Sequence, residues 1–307
     1  MPAYADKLAE QLTSMAGDVP DTVEVVALAQ PDPGVIQERL AKLVGTVADV
    51  AGIERQRPEV VTKDIRTTMR VPGRLLATGF HASGSMSVRL NLAPFEDVFK
   101  DDPGDEDLVA LLGHSSGRLG IAGLLPAEDD LEFERLWRIK AAGGDRSGKV
   151  SGAVLCRAIG AFRHVTRGLP VYGRASATVE LAAAGRLASV SVSARRFVDD
   201  GGGRTVATPE SRRPAAAAKE VAGRIVKAFG DLEELKDVRL VPEWFRFGYL
   251  ALGRRRSQAV LAPFYVASIS VDRPEAEASA HVIAVPGTED QFVRLPAGQR
   301  SSAPSRG

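Results

Sequence analysis

The chain has 307 residues, enough for two domains of ordinary size or one large one. Apolar residues make up 44% and charged residues 26%, the proportions of a soluble globular protein, and a net charge of +1 excludes any global attraction to nucleic acid or to an acidic membrane surface. The single cysteine, Cys156, excludes an internal disulfide framework and a cysteine-based zinc cage.

Residues 1–20 contain no basic segment followed by an apolar one. Leu8, Leu12 and Met15 recur instead at helical spacing among Asp6, Lys7, Glu10 and Gln11, which predicts an amphipathic helix rather than a signal peptide. No apolar run reaches the roughly 20 residues that span a bilayer, so the expectation is a cytoplasmic protein with no membrane insertion. Residues 22–29 (Thr-Val-Glu-Val-Val-Ala-Leu-Ala) read as a strand. Asp32-Pro33 reads as an N-cap followed by proline in the first turn, opening a helix with Ile36, Leu40 and Leu43 on one face. Between residues 67 and 92, Pro72-Gly73 marks a turn, and Met86, Val88, Leu90 and Leu92 alternate as a strand does. Residues 101–107 form an acidic loop around Pro103-Gly104, and residues 136–142 read as the end of a charged helix. Ser151 reads as the N-cap of another helix, with Leu155, Ile159 and Phe162 in one stripe and Cys156 as a buried, inert thiol.

The clearest pattern lies between residues 171 and 195. Val171, Gly173, Ala175, Ala177, Val179 and Leu181 share one face, with Tyr172, Arg174, Ser176, Thr178 and Glu180 on the other. Gly185-Arg186 reverses the chain, after which Ala188, Val190, Val192 and Ala194 alternate with Ser189, Ser191, Ser193 and Arg195. Two period-two runs about a glycine turn predict a half-buried antiparallel hairpin, unlike the continuous apolar strands of a parallel sheet. Residues 199–214, with Gly201-Gly202-Gly203, read as a flexible linker. Pro214 opens a helix carrying Val221, Ile225 and Phe229 and stopped by Gly230. Residues 238–252 and 258–271 read as strands around Gly253-Arg254-Arg255-Arg256, residues 280–285 as a last strand, and residues 297–307 as a disordered tail. The predicted fold is α+β: curved antiparallel sheets with helices packed on one face, in two lobes, an N-terminal domain over residues 1–147 and a C-terminal region over 148–296.

Few residues suggest chemistry. Gly113-His114-Ser115-Ser116-Gly117 fits the G-x-S-x-G nucleophile elbow, in which glycines permit the tight strand-to-helix turn that exposes the serine. A complete site would also need an acid and a histidine, for which His164 or His281 is available. The flanking segments, residues 108–112 and 118–124, instead predict two short strands joined by a five-residue turn, with both histidines out of reach of Ser115. Gly143-Gly144-Asp145-Arg146-Ser147-Gly148-Lys149 approaches a phosphate-binding loop, but Val150 stands where a metal-binding hydroxyl is needed, which leaves a solvated loop before a helix. His81, His114, His164 and His281 are scattered without metal-ligand spacing, and Pro103-Gly104 interrupts the oxygen ligands of a calcium loop. Arg254-Arg255-Arg256 lacks adjacent stacking aromatics, which argues against nucleic acid. No catalytic residue, cofactor site or metal site is assigned.

Residues 148–272 resemble the PepSY and FTP (fungalysin/thermolysin propeptide) domains. The resemblance rests on the predicted helix, Gly168-Leu169-Pro170-Val171-Tyr172-Gly173, the hairpin turning at Gly185-Arg186, and Leu261-Ala262-Pro263-Phe264-Tyr265-Val266. It implies no catalysis, but an accessory or propeptide role that restrains a protease or helps it fold. The expectation departs from that pattern in two respects, since the sequence reads as having no metalloprotease region after the module and no export signal. The expected function is therefore a non-enzymatic binding or regulatory protein, a propeptide-like partner of another protein. The alternative is a serine hydrolase using Ser115.

Overall fold

Helix α1 (Pro2–Thr13) forms as predicted and buries Leu8 and Leu12, while Met15 beyond its end stays exposed. It belongs to a computed structural model that describes residues 2–92, 98–125, 129–144, 148–174, 176–198, 203–228, 238–273 and 276–295. Of the sequence-predicted features, Ala175, Gly201, Gly202, Phe229, Gly230 and the tail 297–307 lie outside the described residues. The strand expected at 22–29 is the shorter β1 (Val25–Ala27). Helix α2 (Pro33–Ala51) starts where predicted, its Asp32 carboxylate accepting from the Gly34 and Val35 N–H groups at 2.7 and 3.3 Å. Ile36, Leu40 and Leu43 are buried. Strands β2 (Glu59–Lys63), β3 (Arg66–Val71), β4 (Leu75–Phe80) and β5 (Met86–Leu90) follow as an antiparallel meander, with Pro72-Gly73 turning between β3 and β4.

The next segment corrects the sequence reading. Residues 105–118 are helix α3 (Asp105–Arg118), so Gly113-His114-Ser115-Ser116-Gly117 lies inside a helix and forms neither a hairpin turn nor a strand-to-helix elbow. Asp105, Glu106 and Asp107, read from sequence as loop, fill the first helical turn, where carboxylates complement the helix dipole. Leu108 and Leu112, four residues apart, are fully buried, and Ser115 and Ser116 extend the same face. Burying each leucine stabilises by about 1.5–3 kcal/mol. That outweighs the ~1 kcal/mol that each internal glycine costs a helix.

Two strands, β6 (Asp130–Ala141) and β7 (Val154–Thr166), likewise replace the helices expected there. β7 is bonded to β6 on one edge, and on the other to β8 (Leu169–Tyr172) and β9 (Ala177–Leu181). Nearly every β7 position from Leu155 to Phe162 is buried, so the alternation that identifies a strand is lost. The helical spacing of Leu155, Ile159 and Phe162 is coincidental. The predicted hairpin does form, between β9 and β10 (Leu187–Val192), with Val179 opposite Val190 and Ala177 opposite Val192. Its apolar residues are buried, and Thr178, Glu180, Ser189 and Ser191 are half-buried. Val171, expected at the start of this strand, belongs to β8 instead, because Gly173 with φ of +119° interrupts the chain.

Within the expected linker, β11 (Thr205–Ala207) is bonded to β1. Helix α4 (Pro214–Ala228) buries Val221 and Ile225 as predicted, and β12 (Arg239–Leu250), β13 (Val260–Arg273) and β14 (Ala276–Pro286) complete an antiparallel meander. Fourteen strands and four helices among the described residues thus make a mixed fold built on one large, curved, open sheet. Its order is β11-β1-β13-β12-β8-β7-β9-β10-β5-β4-β3-β2, with β14 added to β13 and β6 to β7. Leu40, Leu112, Phe162, Val179 and Val190 form one core beneath α2 and α3. Leu12, Val221, Ile225, Phe245 and Tyr265 form another beneath α1 and α4. β8 links the two regions, antiparallel to β7 and parallel to β12, where Val171 opposes Tyr249. No helix among the described residues is long and apolar enough to cross a membrane.

Candidate interaction surface

On the side of the sheet that points away from α3, β6 displays exposed apolar side chains beside a cavity. Ile139 of β6 opposes Arg157 of β7, whereas Lys140 opposes Leu155, so Cys156 is an extra residue in β7. This bulge places Cys156 and Arg157 together at a cavity of about 340 Å³, also lined by Arg89, Ile139, Glu180 and Ala188. Arg157 Nε lies 3.7 Å from Glu180 Oε1, and its Nη1 donates to the Cys156 carbonyl at 2.7 Å. Ser189 Oγ donates to Glu180 Oε2 at 2.7 Å. Beside the cavity, Trp137 is 41% and Ile139 44% exposed, although a core side chain of either type would be covered. The Arg135 guanidinium stands 5.8 Å from the centre of the Trp137 ring. β6 is bonded only to β7 among the described residues, which leaves its second edge open.

A second bulge, at Glu134, shapes the neighbouring seam. Arg163 pairs with Glu134, donates to the Val171 carbonyl at 2.8 Å, and lies 4.8 Å from the Tyr172 ring. Tyr172 in turn stacks on Trp244 at 6.1 Å, and burial pushes its phenol above the ordinary value. Hydrogen bonds from Ser270 and Ser268 hold the Glu243 carboxyl below the usual carboxylate range, with the Arg135 charge nearby adding to the effect. The seam ties β6, β7 and β12 together and fixes the frame on which Trp137 is displayed.

The residues singled out from sequence do not converge. Ser115 lies on α3, near the cleft bordered by Arg118, Arg186 and Asn91. His164 Nε2 is 2.5 Å from Asp129 Oδ2, both side chains being buried, and Ser176 Oγ accepts from the His164 backbone N–H at 3.0 Å. That group ties β7 to the start of β6, and the serine engages the backbone rather than the imidazole. His81 bonds Thr67 Oγ1 at 3.0 Å and the Asp64 carbonyl at 3.1 Å, His114 lies on α3, and His281 on β14 opposes Ile269. Cys156 is buried as expected, but on a strand, with its thiol 3.5 Å from the Val154 carbonyl. Gly144 bridges Val150 and Ser151 Oγ accepts from Gly143 N–H, so the phosphate-loop-like segment precedes a strand; residues 145–147 lie outside the described residues. The acidic segment is pinned rather than freely solvated: Asp102 pairs with Arg138 and Lys140, and Asp105 with Arg138 at 2.5 Å. Among the described residues no three His, Cys, Asp or Glu side chains cluster as metal ligands would.

Trp137, Ile139 and Arg157 do not stand out in the sequence, because residues 136–142 and the segment after Ser151 read as helical. The local signal is confined to Trp137, Ile139 and Ala141 alternating with Arg138 and Lys140, because Arg135 and Leu136 interrupt the pattern begun by Leu131 and Phe133. The arrangement offers an aromatic ring, an aliphatic side chain and paired charges for non-covalent contact, and Trp and Arg are among the residue types enriched at interface hot spots.

No protein-family model and no curated protein matches the chain. Its fold is similar to the crystal structure of an uncharacterized protein from Eubacterium rectale ATCC 33656, with a TM-score of 0.55, 7% sequence identity, and coverage of 91% of this chain and 88% of that one. At that identity the likeness is one of fold alone.

Proposed function

We propose that the chain is a non-enzymatic binding or regulatory protein, a propeptide-like module that takes an extended segment of a protein partner along β6 and the adjoining sheet face. The observation that carries this reading is the exposure of Trp137 and Ile139 on a strand whose second edge is open among the described residues. An open edge supplies main-chain donors and acceptors to an added strand, and alternate side chains supply contact area.

We read the sheet as two lobes with all four helices on one side. Phe162 and Thr166 share a side of β7, Thr166 opposes Leu169, and Val171 opposes Tyr249, so both cores lie on the same side of the ladder. The side bearing Trp137, Arg157 and Glu180 then carries no helix among the described residues. The resemblance of residues 148–272 to PepSY and FTP domains supports an interaction role through its hairpin and its Pro-aromatic strand, while the first helix of that pattern is β7 in this chain.

The test is affinity capture from the source cell with the native chain, a Trp137→Ala/Ile139→Asp variant, and a Val35→Asp variant on the exposed side of α2. Hydrogen exchange on the purified complex then locates the contact. The expected result is a partner retained by the native chain and the α2 variant, lost by the β6 variant, with amide protection concentrated in β6. Equal capture by all three chains, or protection elsewhere, would reject this surface.

A further inference from the structure

The turn between β12 and β13 collects positive charge that no carboxylate among the described residues pairs with. Arg195, just beyond β10, is 7% exposed. Its Nη2 donates to the Leu252 and Arg256 carbonyls at 3.1 and 2.7 Å, and its Nη1 to the Ala82 carbonyl at 3.5 Å. The buried Nε has no partner among the described residues. Ser83 Oγ donates to the Arg254 carbonyl at 2.8 Å, and Gln258 clamps the base of the turn through Leu250, Leu252 and Val260. The turn is thus held by side chains from three parts of the chain, and Arg254, Arg255 and Arg256 are presented on a fixed backbone. Arg254 is itself fixed, its guanidinium 4.7 Å from the centre of the buried Phe80 ring.

Burial pushes Arg195 down to about 10. Burial also lowers Arg254, and the neighbouring charges of Arg174 and Arg255 add to that effect. No carboxylate among the described residues pairs with Arg174, Arg195, Arg254, Arg255 or Arg256. Like charges held together without a counter-ion raise the free energy of the empty site, and an anion placed among them relieves it. A fixed display also lowers the ordering cost of binding.

We propose that this turn is a second binding site, separate from the β6 surface, for a carboxylate-rich segment of a protein. The chemistry favours a polypeptide over nucleic acid, because the ring that Arg254 covers, Phe80, is buried and offers no stacking platform. It favours an extended chain over a single small anion, because three consecutive arginines run along a turn.

Fluorescence anisotropy with a labelled oligoglutamate peptide tests this, using the native chain and an Arg174→Gln/Arg254→Gln/Arg255→Gln variant. A Lys7→Gln/Lys42→Gln/Lys219→Gln variant removes equal charge from exposed positions on α1, α2 and α4, and Trp137→Ala reports on the other surface. Circular dichroism establishes that each variant is folded. The expected result is salt-sensitive binding by the native chain, unchanged by the lysine and tryptophan variants and about tenfold weaker in the arginine variant. Absence of binding by the native chain, equal loss in the lysine variant, or tighter binding of inorganic phosphate or a single-stranded oligonucleotide at the same arginines would overturn the proposal.

Discussion

Leu112 of α3 rests directly on Gly160 of β7: a Cβ on that glycine would lie 3.1, 3.2 and 3.3 Å from Leu112 Cδ1, Cδ2 and Cβ. The helix containing Ser115 is therefore seated on the sheet where a side chain is missing. Gly160→Val is expected to destabilise the fold by about 1–3 kcal/mol through overpacking. Leu112→Ala should cost about 2–5 kcal/mol through the cavity it leaves. Because both act on one contact, the double variant should lose less than the sum in denaturant unfolding. Strict additivity would show that the two residues are not coupled.

Phe162 lies opposite Phe133 and Ala177, with the Phe133 ring edge-on at 5.7 Å, in the core shared by the β9–β10 hairpin. Phe162→Ala should cost about 3–5 kcal/mol. Ser191, half-buried on the other side of the hairpin, should tolerate alanine within about 0.5 kcal/mol. Similar melting shifts for the two variants would contradict this assignment of faces.

A serine nucleophile needs a base at its hydroxyl and an exposed turn beneath it. Ser115 sits inside α3, and the His164 imidazole is engaged by Asp129. A fluorophosphonate probe should label the native chain no more than Ser115→Ala. Labelling that disappears in the variant would restore the hydrolase reading.

Tyr249 donates to the Glu24 carbonyl at 2.9 Å and Tyr265 to the Arg212 carbonyl at 2.6 Å, and burial pushes each phenol up to about 12. Above about pH 10, where an unfolded tyrosine ionises, the unfolded chain holds fewer protons at these two sites than the native chain. Their contribution to stability is complete below that pH and is lost as pH rises toward 12. Arg195, lowered to about 10, acts in the opposite sense across the same window and only partly offsets two tyrosines. Absorbance titration should show Tyr249 and Tyr265 ionising late in the native state, and Tyr265→Phe should flatten the alkaline loss of stability. Ionisation of all four tyrosines near pH 10 in the folded chain would refute it.

The sequence by itself determined the elements whose signals are local. Asp32-Pro33 caps its own helix, Pro72-Gly73 turns its own hairpin, and the alternation through Val179 and Val190 marks one buried and one half-buried side. Only the tertiary structure decided the middle of the chain. β7 takes neighbours on both edges and packs against α3, so its letters carry no period that distinguishes strand from helix. α3 is a helix because Leu108 and Leu112 find a core to fill, a gain that its glycines conceal from any local reading. Of the two surfaces, the arginine run is visible in the sequence, whereas the alternation of β6 is interrupted at Arg135 and Leu136. Arg195 was not legible at all: it reads as an outward strand residue and becomes a buried clamp only because three carbonyls from two distant loops converge on it.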